Sequence, residues 1–300
     1  MNVKLLDINI SKKRLPWIDY AKGIAIILVV YRHMLIGFLR SDIEVEQYLI
    51  IANELVYTFR MPLFYILSKI FNKKIIIKKS IRCTISKKIN TLLYPYLKWA
   101  FLHVTVQIIL SDFTNAKRDI YDYLNILYKP RAIDHFWFLY TLFNVTIFFS
   151  VVEKLLKLKN WYHLIIGIIL YSLSDFFISF SLLKDIFYYY IFFAIGNFIS
   201  DYILDKSNHR SFSSKKLFLI LTVPFFLMQW YWINIPYLNK FFFGFIAVFG
   251  CFYAIILSFI LGESNKFKLI RYIGYHSLYI YIIHLFVTSF LRILFYNILS

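Results

Sequence analysis

Nine runs of mostly apolar residues divide this chain, and its charged residues cluster in the gaps between them. The runs cover about 18–39, 48–70, 91–111, 136–152, 161–180, 186–203, 217–233, 241–261 and 273–296. All nine have the roughly 17–25 residues that an α-helix needs to cross a bilayer at about 1.5 Å per residue. A soluble domain does not bury that many such segments, so the pattern predicts an all-α fold: a polytopic transmembrane helix bundle of about nine to ten helices. Residues 1–300 read as a single integral membrane domain. The run at 217–233 is short and broken by Pro224. The first run lacks a cleavage pattern and is too long for a signal-peptide core, so it reads as a retained helix.

Orientation follows from lysine and arginine in the loops. With the N-terminus cytoplasmic, the inner segments hold 21 basic residues, among them Lys12, Lys13 and Arg14, and the outer loops hold 7, among them Lys117 and Arg118. This bias implies an N-inside topology. It also accounts for the formal net charge of +18, which reflects topology and attraction to anionic lipid headgroups rather than nucleic acid. The expected partners are therefore membrane lipids and no nucleic acid.

Cys83 and Cys251 lie far apart without metal-ligand spacing, and each reads as a small apolar residue. No metal is expected. There are 33 Phe and 25 Tyr, suited to lipid-facing surfaces and interfacial anchoring. No internal repeat, phosphate-binding glycine loop or low-complexity linker is visible. The longest polar stretch, about 111–134, falls on the outer side and is long enough to help build a substrate mouth.

Ionisable residues inside spans are costly and persist where they pair, line a hydrated cavity or do chemistry. The first span holds Asp19, Lys22, Arg32 and His33. At about 100° per residue, Asp19, Lys22 and His33 share one stripe, with His33 about 16 Å beyond Lys22 in the outer half of the bilayer. Asp19 and Lys22, three apart, also have the spacing to neutralise each other. Arg32 points about 100° away from His33 and reads as an outward-reaching residue. Arg60, near the middle of the second span, keeps its proton and must find an acceptor. Pro62 should kink that helix, and Lys69 should snorkel to the cytoplasmic interface. His103 and His163 have no partner visible in sequence and read as structural. His135 and Trp137 stand at the outer edge of the fourth span, as interface anchors or as part of an acceptor site. Ser277, Tyr281 and His284 recur at roughly one-turn spacing and form a polar face, either helix–helix contact or binding surface.

Five fragments together resemble the acyltransferase-3 family of integral membrane acyltransferases. They are Asp19 and Lys22 followed by ten residues and His33; Phe59-Arg-Met-Pro-Leu-Phe-Tyr-Ile-Leu-Ser68; a basic loop ending in Leu93-Tyr-Pro-Tyr96; His135-Phe-Trp-Phe-Leu139; and Ile273-Gly-Tyr-His-Ser-Leu-Tyr-Ile-Tyr-Ile-Ile-His284. The fucose 4-O-acetylase-like branch is the most similar. Three features depart from the family pattern. Lys22 stands for the usual Arg, Lys69 for a Gly and Asn90 for an Arg.

The resemblance implies acyl transfer from acetyl-CoA to a hydroxyl, usually on a sugar. A sugar hydroxyl needs a base, and imidazole has a suitable intrinsic pKa. The implied catalytic set is His33 as general base (or as the carrier of an acyl-His intermediate), Arg60 as positive charge at the oxyanion or the donor, and Asp19. Donor-binding candidates are Lys22, Ser68, Lys87 and Lys88, within a basic loop that includes Lys73, Lys74, Lys78, Lys79 and Arg82. Acceptor-binding candidates are His135, Trp137, Ser277, Tyr281 and His284. The expected co-substrate is acetyl-CoA, the acceptor a glycan or lipid-linked sugar, and the location a bacterial cytoplasmic membrane. The same buried charges would also suit a transporter or flippase for an anionic or sugar-lipid solute, and a structural membrane subunit is a third reading. Sequence leaves the oligomeric state open.

Overall fold

The computed structural model describes residues 15–41, 43–78, 81–111, 118–235 and 238–299. Lys12, Lys13, Arg14, Lys79 and Lys117 lie outside the described residues, as do the side chains of Lys73, Lys74, Lys78 and Arg292. Among the described residues every regular element is helical. In chain order the α-helices are α1 (Pro16–Leu39), α2 (Gln47–Leu55), α3 (Tyr57–Lys78), α4 (Ile81–Lys88), α5 (Tyr94–Ile109), α6 (Asp122–Tyr128), α7 (Trp137–Leu156), α8 (Asn160–Leu173), α9 (Ser181–Leu204), α10 (His209–Phe212), α11 (Lys215–Asn234), α12 (Lys240–Ser264), α13 (Lys268–Tyr275) and α14 (Ser277–Leu299). A π-helical turn, Ile89–Leu93, leads into α5, and a 3₁₀ segment, Pro130–Phe136, leads into α7.

All nine apolar runs are largely helical, but among the described residues only six helical stretches are long and apolar enough to span: 16–39, 47–71, 130–156, 181–204, 215–234 and 240–264. A seventh counts if α13 and α14, bent by 87°, are one broken span. The run at 91–111 forms a helix of 16 residues and that at 161–180 one of 14, or about 24 and 21 Å of rise against a core of about 30 Å. The last run is therefore not one straight helix, because α13 ends at His276 before α14 begins. In the second run the chain stays helical through Pro62, and the break falls earlier, at Val56. The run at 217–233 is helical through Pro224.

Caps explain several boundaries. The Ser214 side chain accepts from the Leu217 N–H at the start of α11, and Asn239 accepts from the Phe241 N–H at the start of α12. Each satisfies one of the amides a helix start leaves without an intrahelical acceptor. Lys157 and Asn265 close α7 and α12 in the left-handed region, at φ 47° and 49°.

The chain forms two compact units, residues 1–67 with 202–300, and residues 68–201. In the first unit α1 packs against α12, α13 and α14, and α11 against α12 and α2. Two glycines permit this approach. A Cβ on Gly274 would lie 1.7 Å from the Asp19 carbonyl oxygen, and one on Gly23 would lie 2.1 Å from that of Ile270. Only glycine lets the backbones of α1 and α13 touch in this way. The Trp17 and Phe259 rings stack at 4.4 Å.

In the second unit α5 packs on α6, and α4 on α7. Within the polar stretch at 111–134, the described residues 118–134 are tied down by hydrogen bonds. Arg118 donates to Gln107, Asp122 and Asp134, Tyr96 donates to the Ile126 carbonyl, and Thr105 hydrogen-bonds Tyr123 at 2.7 Å. Lys69, expected to snorkel, is instead buried at 1 % exposure, its ammonium 3.9 Å from the Phe149 ring centroid and 5.7 Å from that of Phe193. Both rings lie within reach of a cation–π attraction.

Candidate active site

The twelve residues singled out from sequence divide between the units. Asp19, Lys22, His33, Arg60, Ser277, Tyr281 and His284 lie in the first, and Ser68, Lys87, Lys88, His135 and Trp137 in the second. In the first unit α1 carries Asp19, which is buried near its N-terminus, and Lys22 and His33, which are half-buried. The close α1–α13 packing sets the register of this stripe.

The tertiary structure adds a pairing that the sequence did not reveal. The His33 ring on α1 and the His284 ring on α14 have centroids 5.1 Å apart, tilted by 54°. His284 Nδ1 is 2.7 Å from the Tyr281 carbonyl oxygen. A carbonyl only accepts, so Nδ1 carries the hydrogen, and in the neutral ring the lone pair sits on Nε2. One turn of α14 thereby fixes the tautomer of the imidazole that flanks His33. Tyr281 and His284 are both buried, whereas Ser277 starts α14 half-buried.

Arg60, 3 % exposed, donates from Nη1 to the Leu28 carbonyl and to Asn53 Oδ1, both at 3.2 Å. The first bond clamps α3 to α1 five residues before His33. The Arg60 guanidinium carbon also lies 5.6 Å from the Tyr57 ring centroid, and that of Arg32 lies 5.0 Å from the same ring. Arg32 therefore turns to the start of α3, a role its position on the helical wheel did not suggest.

In the second unit His135 is buried beside His103, their centroids 5.8 Å apart. His103 is not isolated, because its Nε2 lies 3.3 Å from Asp134 Oδ2, which also accepts from Gln107 and Arg118. Asp134 has φ 64°, a left-handed conformation costly for a non-glycine residue, and its hydrogen bonds hold it there. Trp137 stacks on Tyr189 at 5.7 Å, with the Arg131 guanidinium 3.9 Å from its ring centroid, and Arg131 forms a forked ion pair with Asp185 at 2.7–2.9 Å. His163, also expected to be structural, bonds Tyr190 at 2.8 Å and lies 2.6 Å from the Glu153 carboxylate. Ser68 and Lys88 are half-buried and Lys87 is exposed, with Lys87 and Lys88 ending α4 just before the π-helical turn. Among the described residues no cluster of three or more His, Cys, Asp or Glu has metal-binding geometry.

The fragments shared with membrane acyltransferases are thus spread across helices of both units, from the first to the last. The model of the acyltransferase-3 family, described as an acyltransferase domain, matches residues 15–299. The chain belongs to this family. Together with its apolar helices, that makes it a multi-pass membrane protein. A curated relative, the nodulation protein NolL of Mesorhizobium japonicum, is 28% identical over 143 residues, which cover 48% of this chain and 37% of NolL. The chain thus matches little more than a third of that relative's length. No solved structure matches.

Proposed function

We propose that the protein is a membrane O-acetyltransferase that moves an acetyl group from cytoplasmic acetyl-CoA to a hydroxyl of a surface-polysaccharide or lipid-linked glycan. The observation that carries this reading is the pairing of His33 with a tautomer-fixed His284, on the first and last helices of a chain in an acyltransferase family. His33 takes the proton from the acceptor hydroxyl, whose oxygen attacks the thioester carbonyl. The tetrahedral oxyanion then collapses, the C–S bond breaks, and the coenzyme A thiolate takes the proton back from the imidazolium. A fixed positive charge lowers the cost of the oxyanion, and Arg60 supplies it, either at the oxyanion or at the donor. Asp19 and Lys22 hold the donor's pantetheine arm or phosphates at the N-terminal end of α1, with Ser68, Lys87 and Lys88 as further donor contacts. His284, Tyr281, Ser277, His135 and Trp137 are assigned to the acceptor.

The topology proposed with it is N-inside, in a bacterial cytoplasmic membrane with about nine crossings, the two shorter helices α5 and α8 completing the six or seven spans of full length. The roughly 16 Å of helix between Lys22 and His33 is a span that an extended pantetheine arm covers, so acetyl groups would reach an acceptor on the outer side. Mass spectrometry of surface glycans tests the reading in cells with the wild-type gene, with His33→Ala and without the gene. The expected result is one acetyl increment with the wild-type gene and a loss of about 100- to 10,000-fold in transfer with His33→Ala, the usual range for removing a general base. An increment that survives His33→Ala removes the base assignment. Identical glycans in all three would overturn acetyl transfer and favour solute transport.

A further inference from the structure

Tyr57 opens α3 directly after the break at Val56, and hydrogen-bond donors from three helices gather around it. Arg32 from α1 and Arg60 from α3 place guanidinium carbons 5.0 and 5.6 Å from its ring centroid. Trp232 from α11 stacks on the same ring, centroids 5.9 Å apart and planes 8° from parallel. The indole Nε1–H of Trp232 is buried and has no hydrogen-bond acceptor among the described residues. One turn earlier on α11, wholly buried Gln229 accepts from the Thr58 hydroxyl at 3.0 Å, and its amide nitrogen likewise has no acceptor there. Glu54 is joined to this cluster, since it accepts from Asn53, the residue that also accepts from Arg60.

Like charges gathered in an apolar setting are costly unless an anion joins them. An Arg fork matches the geometry of phosphate oxygens, and a phosphate has enough oxygens to take an indole N–H besides. Arg32, Tyr57 and Trp232 are each only half-buried, so the locus is open to an approaching group. Arg32, Arg60 and Trp232 all sit on helical stretches of membrane-spanning length, where an amphiphile arrives within the plane of the bilayer. Aromatic and basic residues of this kind collect at headgroup level.

We propose that Arg32 and Trp232, arranged around Tyr57, form a binding site for the phosphate ester of a membrane-resident lipid. The phosphate belongs either to a polyprenyl carrier, such as would anchor a glycan acceptor, or to a bilayer phospholipid. The site rests on the membrane reading of the chain and is independent of acetyl transfer, since it is tested with no acyl donor present.

The test is native mass spectrometry of the full-length protein in neutral detergent, titrated in separate arms with a polyprenyl monophosphate and with phosphatidylglycerol. The variants are Arg32→Gln, Trp232→Phe and, as a remote control, Lys215→Gln, each checked for unchanged helicity by circular dichroism. Arg32 and Trp232 are used because they are half-buried, whereas Arg60 variants would disturb folding. The expected result is retention of at least one probe by wild type and by Lys215→Gln, weakened tenfold or more by Arg32→Gln and several-fold by Trp232→Phe. Retention of the polyprenyl phosphate alone identifies the carrier lipid as the ligand, and equal retention of phosphatidylglycerol identifies a bilayer headgroup. Retention unaffected by both Arg32→Gln and Trp232→Phe, or no retention by wild type in either arm, overturns the site.

Discussion

The two units handle buried charge differently. In the second, cations meet carboxylates: Arg131 grips Asp185 with a fork, Arg118 and His103 converge on Asp134, and His163 lies against Glu153. In the first, Arg60 donates to a backbone carbonyl and an asparagine, Arg32 lies over a tyrosine ring, and His33 faces His284. A charge closed by its counter-charge is spent on holding helices together. Lys69, also in the second unit, lies over two phenyl rings.

The largest expected effect breaks a closed pair. Arg131→Ala leaves the buried Asp185 carboxylate without its fork and should cost about 3–5 kcal/mol, read as earlier thermal unfolding in detergent. Arg131→Lys should recover only part, because an ammonium lacks the fork. Wild-type stability in Arg131→Ala would end the description of the second unit as held by its ion pairs. Next, Gly274→Ala should cost about 1–3 kcal/mol, the usual penalty for overpacking, because the added methyl meets backbone rather than a movable side chain.

A smaller effect is pH-dependent. Burial pushes the Asp122 carboxyl up, but hydrogen bonds from the Asp119 amide and from Asn125, with the charge of Arg118, outweigh it and hold the group below its ordinary 3.8. The stability from Asp122 is therefore fully present above that ordinary value and is lost as pH falls through the lower folded one. Asp122→Ala should remove roughly 0.5–1 kcal/mol at neutral pH and flatten the acid limb of a stability–pH curve. The smallest expected shift is that of His33→Ala, whose unfolding should move by no more than about 0.5 kcal/mol although transfer is lost. A large destabilisation there would erase the contrast between the units.

Much of the fold was legible because membrane helices are written in composition. Long apolar runs mark where backbone must satisfy itself, and every predicted run is largely helical. The breaks were less legible. Pro62 and Pro224 pointed to bends, yet the second run breaks at Val56 and the last at His276, where no helix-breaking residue stands. The close approach at Gly23 and Gly274 was not read from sequence, because only packing brings a backbone carbonyl against each. Of the site, the stripe of Asp19, Lys22 and His33 was readable because it lies on one helix with a fixed pitch. Pairs such as His103–Asp134 and His163–Tyr190 were not, because their members stand 31 and 27 residues apart on separate elements.

By itself the sequence determined the helical class, the places where helices run and the family, since hydropathy and local motifs are properties of contiguous residues. Only the tertiary structure decided that His33 faces His284, that Arg32 and Arg60 share Tyr57, and that Lys69 is buried over rings rather than snorkelling. These outcomes depend on which helix faces meet, and that is set by the packing of the whole unit, which no local period encodes.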